Sequence, residues 1–159
     1  MEISSIITGV VVAALIFVPF LLMAYSGNKD VKLLEKIFNE TGEKENLKFA
    51  VKEKINDTLV GIDNAQNKVL FVKVIKGKSE IELINLAKIK SLSFVCPVPH
   101  HKIDIPQKSA YFSFLSKESK AETKVFVYNS IEHKPIELSE ILKKGERWEA
   151  LLNKNLVVA

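Results

Sequence analysis

The sequence predicts an N-terminal transmembrane helix followed by a mostly-β domain, with seven short antiparallel strands closing as a barrel or sandwich and a C-terminal amphipathic helix. Three observations predict this. No residue from Ile3 to Asn28 carries a charge. Through the middle of the chain, short apolar runs at period two alternate with turn formers. From Leu138 onward the apolar positions return to helical spacing.

The leading segment sets the frame. Its core, Ile6 to Tyr25, is almost wholly aliphatic or aromatic, and roughly 20 residues at about 1.5 Å rise each cross a ~30 Å hydrocarbon layer. A buried helix of a small domain keeps a polar face, and this run has none. A cleaved signal peptide calls for a positive leader, an apolar run of about 7–15 residues and a small-x-small cleavage site. Here the leader is Met-Glu-Ile-Ser-Ser, the run is longer, and no Ala-x-Ala follows. Residues 1–28 are therefore expected to stay as an anchor, bent near the C-terminal end by Pro19, which membrane helices accommodate when the freed carbonyl finds another donor.

Lys29, Lys32 and Lys36 follow the span, while only Glu2 and the amino terminus precede it. Basic flanks stay on the cytoplasmic side, so the expected placement is single-pass in the cytoplasmic membrane, N-terminus outside and domain in the cytoplasm. The same three lysines form a membrane-surface cluster, each worth about 1 kcal/mol beside anionic headgroups. Within the span, Gly9, Ala13 and Ala14 are the small residues against which another membrane helix packs closely.

Charge and cysteine usage narrow the function classes. The chain has 23 Lys and Arg against 19 Asp and Glu, a net charge of +4. The lysines alternate with acids, as in Lys52-Glu53-Lys54 and Lys117-Glu118-Ser119-Lys120, which is the pattern of a solvated surface. Arg147 is the only arginine, whereas phosphate and base-edge readers rely on its planar fork. Nucleic acid is not an expected partner. Cys96 stands alone, so it makes no internal disulfide and suits a reducing compartment.

The elements follow in order. From Val31, the residues Leu33, Leu34, Ile37 and Phe38 form one helical stripe, with a stop at Asn39 to Gly42. This amphipathic segment, residues 29–46, is expected to pack on the domain rather than lie along headgroups. The β domain is assigned to 47–159. Leu47, Phe49 and Val51 alternate with Lys48, Ala50 and Lys52 as a first strand, and further strands are expected at Thr58–Asp63, Lys68–Ile75, Glu80–Leu86, Ile89–Val95, Ala110–Leu115 and Thr123–Tyr128. Asn64-Ala65-Gln66-Asn67 and Lys76-Gly77-Lys78 supply hairpin turns. Turns this close leave no room for parallel crossovers. In the last helix Ile141, Leu142, Gly145, Trp148, Leu151 and Leu152 line one side, with Glu137, Lys143, Lys144, Glu146 and Lys154 away from it, Ser139 as N-cap and Gly145 weakening its middle. An apolar helix face plugs the open end of a small barrel, and Trp148 is the expected plug.

These pieces carry a resemblance. Gly61-Ile62-Asp63 with Leu70-Phe71, Ile84-Asn85-Leu86 with Ile89, Phe126-Val127-Tyr128-Asn129 and Glu146-Arg147-Trp148 resemble a family of small uncharacterised bacterial membrane proteins. Members of that family carry one N-terminal span and a pleckstrin-homology-like domain. The chain departs from it at Asn85, where the family tends to have an acid. The resemblance implies architecture and an inner-membrane placement, and brings no activity with it.

Chemistry is sparse. His100-His101 and Asp104 are the nearest thing to a metal site, but adjacent histidines point apart in extended chain and no further ligand stands at a suitable spacing, with His133 far off. Asp63 fits turn chemistry better than catalysis. Gly61, Gly77 and Gly145 are isolated and cradle no phosphate. No nucleophile and base can be grouped, no cofactor or small-molecule substrate is indicated, and a non-enzyme is expected. The segment from Pro97 to Lys108 is the candidate partner loop: Pro97, Pro99 and Pro106 pre-set its backbone, beside His100 and His101. The expected function is an interaction or scaffold module that binds a protein at the membrane. The alternatives are an accessory subunit docked through its span, a metal-dependent hydrolase using the histidine loop, and a lipid reader by analogy of fold.

Overall fold

The computed structural model describes residues 29–75, 77–96, 109–119, 121–129 and 138–158. The span expected at residues 1–28 and the partner loop expected at 97–108 lie outside them. Among the described residues no helix is long and apolar enough to cross a membrane. Helix α1 covers residues 29–44. Seven strands follow: β1 (Val51–Ile55), β2 (Thr58–Asp63), β3 (Lys68–Ile75), β4 (Lys78–Asn85), β5 (Ile89–Val95), β6 (Ser109–Ser116) and β7 (Glu122–Asn129). Helix α2 (Leu138–Val158) comes last.

All pairing is antiparallel, in a four-stranded sheet ordered β1-β2-β3-β4 and a three-stranded sheet ordered β5-β6-β7. The expected barrel is not closed: among the described residues no ladder joins β4 to β5 or β7 to β1. A single 3₁₀ turn, Leu86–Lys88, passes the chain between the sheets, with the Asn85 side chain accepting the Ala87 N–H at 3.0 Å. Tight reversals need left-handed residues, and Asn56 (φ 54°), Asn67 (φ 53°) and Gly77 (φ 76°) supply them in the first three hairpins.

The facing sheets share one core. Val60, Ile62, Val69, Phe71 and Ile84 of the larger sheet meet Leu92, Phe112, Phe114, Val125 and Val127 of the smaller, and Ile141, Trp148 and Leu152 of α2 complete the cluster. Phe71 sits between Phe112 and Phe114, with ring centroids 5.6 and 5.9 Å away. Helix α2 packs chiefly on β5, where Phe94 lies so close over Gly145 that a Cβ there would stand 2.2 Å from the ring. Gly145 thus weakens the helix but lets it approach the sheet.

A second cluster occupies the outer face of the larger sheet. Leu34 and Phe38 of α1 cover Leu59, Leu70, Val72 and Val74, with Leu33, Ile37, Leu47, Phe49 and Leu83 around them. All six residues of β2 are consequently buried. Helix α1 is part of the domain's packing, as expected for the amphipathic segment at residues 29–46.

Several boundaries move for physical reasons. Helix α1 runs through Gly42, because the Phe49 ring packs on that glycine, and stops at Asn46 (φ 53°). There Leu47 N–H donates to Gly42 O at 2.8 Å and Asn46 N–H to Glu43 O at 3.1 Å, the paired bonds of a Schellman cap. The first strand begins at Val51, not Leu47: Leu47 and Phe49 are spent on the outer cluster, so their alternation marks burial under α1. Strand β4 starts earlier and ends one residue sooner than expected. Ser139 lies inside the first turn of α2, which begins at Leu138, and so does not cap it.

Candidate functional site

The sequence-derived site residues separate into two groups. Lys29, Lys32 and Lys36 lie exposed on α1, with Lys36 3.8 Å from Glu40. Gly9, Ala13, Ala14, Pro97, Pro99, His100, His101, Asp104, Pro106 and His133 all fall outside the described residues. Cys96 is half-buried, and burial followed by the nearby Glu146 charge pushes its thiol pKa up, away from the reactive thiolate. Among the described residues no group of three or more His, Cys, Asp or Glu could hold a metal ion.

Asp63 proves to be a structural carboxylate. It is buried, and its Oδ1 accepts the N–H groups of Ala65 and Gln66 at 2.8 and 2.9 Å while Oδ2 accepts Lys48 N–H at 2.6 Å. Burial alone pushes its pKa up, but the hydrogen bonds from Lys48, Gln66 and Ala65, helped by the Lys68 charge, outweigh it and hold the group below its ordinary value. Beside it, Gln66 Nε2 donates to Asn46 O at 2.6 Å. The chain leaving α1 is thereby fastened to the β2–β3 turn.

The most site-like region of the described residues is the seam between β1 and α2. Strand β1 is an edge of its sheet, and its side chains alternate: Lys52 and Lys54 point to solvent while Glu53 turns toward α2. Glu53 Oε2 accepts the indole N–H of Trp148 at 2.8 Å and also pairs with Arg147. Burial pushes the Glu53 carboxyl up, but Arg147, Trp148 and Lys144 together hold it below the usual value. Lys144 Nζ donates to Lys54 O at 3.2 Å and pairs with Glu140 at 2.7 Å. Across the neighbouring turn, Asn56 Nδ2 donates to Val127 O at 3.2 Å, which is accessible because the β6–β7 register slips between Ala110 and Tyr111.

These contacts leave two depressions along the seam. One, of about 500 Å³, is walled by Val51, Trp148 and Leu151 and rimmed by Lys52, Glu53 and Arg147. The other, of about 280 Å³, is lined by Lys54, Asn56, Glu140, Ile141 and Lys144. An apolar wall, an edge strand and a charged rim fit the side chains and backbone of an extended segment better than they fit a reacting small molecule. Of the ionisable groups here, Glu53 and Arg147, and Glu140 and Lys144, are engaged in ion pairs and hydrogen bonds. Comparison with protein-family models, with curated proteins and with solved structures gives no match.

The seam leaves almost no local mark in the sequence. Arg147 stood out as the sole arginine and Trp148 as the plug, but nothing local ties either to Glu53, 94 and 95 residues away. The only available signal was the Lys-Glu-Lys alternation at 52–54. Taken as a solvated face, it conceals one inward-facing acid between two outward-facing lysines.

Proposed function

We propose that the chain is a membrane-tethered, non-catalytic interaction module. Residues 1–28 anchor it, and the β domain, at the cytoplasmic face, holds a protein partner that lays an extended segment along β1 in the groove beside α2. The observation that carries this is the edge strand β1 bordering a groove of about 500 Å³ with Val51, Trp148 and Leu151 as its apolar wall. The four-plus-three sheet order with a C-terminal helix on the second sheet supports a pleckstrin-homology-like plan, the architecture implied by the resemblance of Gly61-Ile62-Asp63 and Glu146-Arg147-Trp148.

The test is purification of the full-length protein in mild detergent, with mass spectrometry of what accompanies it. Val51 is 41 % exposed, so Val51→Asp leaves the core intact. This variant is expected to lose the partner, whereas Phe126→Ser, on the other sheet, retains it. A partner that survives Val51→Asp, or needs Gly9 and Ala13 instead, removes the groove from the function. A tag after Ala159 that protease digests outside intact cells removes the cytoplasmic placement.

A further inference from the structure

The direction of α1 fixes which end of the domain meets the membrane. On the outer face of the larger sheet the cross-strand rows are Lys52-Gly61-Leu70-Leu83 and, next along the strands, Lys54-Leu59-Val72-Ile81. Val74 and Ser79 form a further row beside the turn at Gly77. Phe38 lies over Gly61, and the glycine of the last turn, Gly42, lies under Phe49, which also borders Gly61. The C-terminal half of α1 therefore covers the Gly61 row, and its exit is fastened to Asp63. Leu34, one turn earlier, belongs to the cluster that buries Val74, whereas Ile81 stays 46 % exposed. Helix α1 thus runs along β2 and β3, with Lys29 at the end of the sheet that carries the 56–57 turn and Gly77.

The opposite end carries the 64–67 turn, held to Leu86 N–H by Asn67 O at 2.8 Å, and the β6–β7 turn, whose Lys117 N–H donates to Lys88 O at 2.8 Å. Strand β3 separates the two ends by eight residues, about 25 Å of strand.

Residues 1–28 join the domain at Lys29. From Tyr25 to Lys29 the chain reaches at most about 14 Å even if fully extended, so the tether is short. We infer that the end bearing the turn at Gly77 lies against the lipid headgroups, and that the β3–β4 turn there, with Gly77, Lys78 and Ser79, is a second membrane contact beside α1. This rests on the reading of 1–28 as a span. The surface suits it: Lys29, Lys32 and Lys78 stand there against Asp30 and Asp57, and two large apolar side chains are exposed nearby, Val31 at 37 % and Ile81 at 46 %. Glu80 and Glu82, both exposed, lie on the other face of β4 from Ile81 and border a crevice with Lys73 and Lys124. Lysine with exposed aliphatic surface is the composition that anionic headgroups and the interfacial layer accept.

Full-length protein carrying Cys96→Ser and a single reporter cysteine is placed in vesicles of phosphatidylcholine and phosphatidylglycerol with a headgroup spin-label quencher. Ser79→Cys and Lys78→Cys report on the proximal end and Ala65→Cys on the distal end, each with an environment-sensitive dye. Quenching several-fold stronger at 78 and 79 than at 65 is expected. Equal quenching, or stronger quenching at 65, in protein that floats with the vesicles overturns the inference and leaves the tether standing. Protein that fails to float removes the tether and the inference together.

Discussion

The two sheets bury their inner faces in one core, yet their outer faces differ completely. On the larger sheet α1 covers Leu59, Leu70, Val72 and Val74, and β2 is buried along its whole length. On the smaller, β6 alternates between buried residues and half-exposed ones, and Tyr111 and Phe126 pair at 5.2 Å on a surface that none of the described elements covers, with Lys124 5.3 Å above the tyrosine ring. An antiparallel sheet tolerates one wet face, so the smaller sheet needs no cover. The larger sheet does, because its outer side chains are aliphatic. Stability is therefore expected to depend on the cover of one sheet and to be indifferent to the other's outer surface.

The strongest way to break this comparison is Phe38→Ala. Phe38 is fully buried and stacks at 4.6 Å on Phe49, so its loss is expected to cost about 3–5 kcal/mol in urea denaturation. A cost near zero would mean α1 contributes nothing to the fold. Next comes Gly61→Ala, whose new Cβ would stand 2.6 Å from Phe38 and 2.8 Å from Phe49. The rings must shift, and a loss of about 2–3 kcal/mol by the same measurement is expected, against the usual gain of replacing glycine within a strand.

Asp63→Asn tests the fastening behind α1. Asparagine keeps acceptors for Ala65 and Gln66 but presents an amide donor, or no group, to Lys48 N–H, at a cost of about 1–2 kcal/mol. The pH dependence has a definite sign. The folded pKa of Asp63 lies below its ordinary 3.8, so the unfolded chain takes up the proton first as pH falls. The carboxylate's stabilisation is complete above that value and drains away below it. Acid titration of the unfolding midpoint should show a shallower slope below about pH 4 in Asp63→Asn than in the parent. The smallest effect belongs to the bare sheet. Phe126 is 44 % exposed, and Phe126→Ser is expected to change stability within about 0.5 kcal/mol; a larger loss would show that this face is also covered.

How much was legible in the sequence follows from how local the cause of each feature is. Strands β2 and β3 start and end where pattern and turn residues place them, because Asn64 to Asn67 and Gly77 act on their own neighbours, and β5 also keeps its expected bounds. The end of α1 was misplaced because Gly42 looks like a stop unless Phe49 is known to lie on it, and the true cap depends on Asn46 adopting a left-handed conformation. Leu47 and Phe49 alternate as a strand would, yet serve the packing of a helix. The β1–α2 seam was hidden for the same reason on a longer scale: Glu53 meets Arg147 and Trp148 only after two sheets and a helix have come together. Trp148 itself was legible as a core residue, since a lone tryptophan on an apolar helical stripe has little else to do.

The cover supplied by α1 also decides where this polypeptide can be cut. A chain beginning at Leu47 would keep every strand but bring Leu59, Leu70, Val72 and Val74 into water as one contiguous greasy patch. Surfaces of that kind, beyond a few hundred Å², promote clumping. Proteolytic removal of the segment from Lys29 to Asn46 would thus bare an adhesive surface, and any truncated version meant to stay dispersed has to retain these residues.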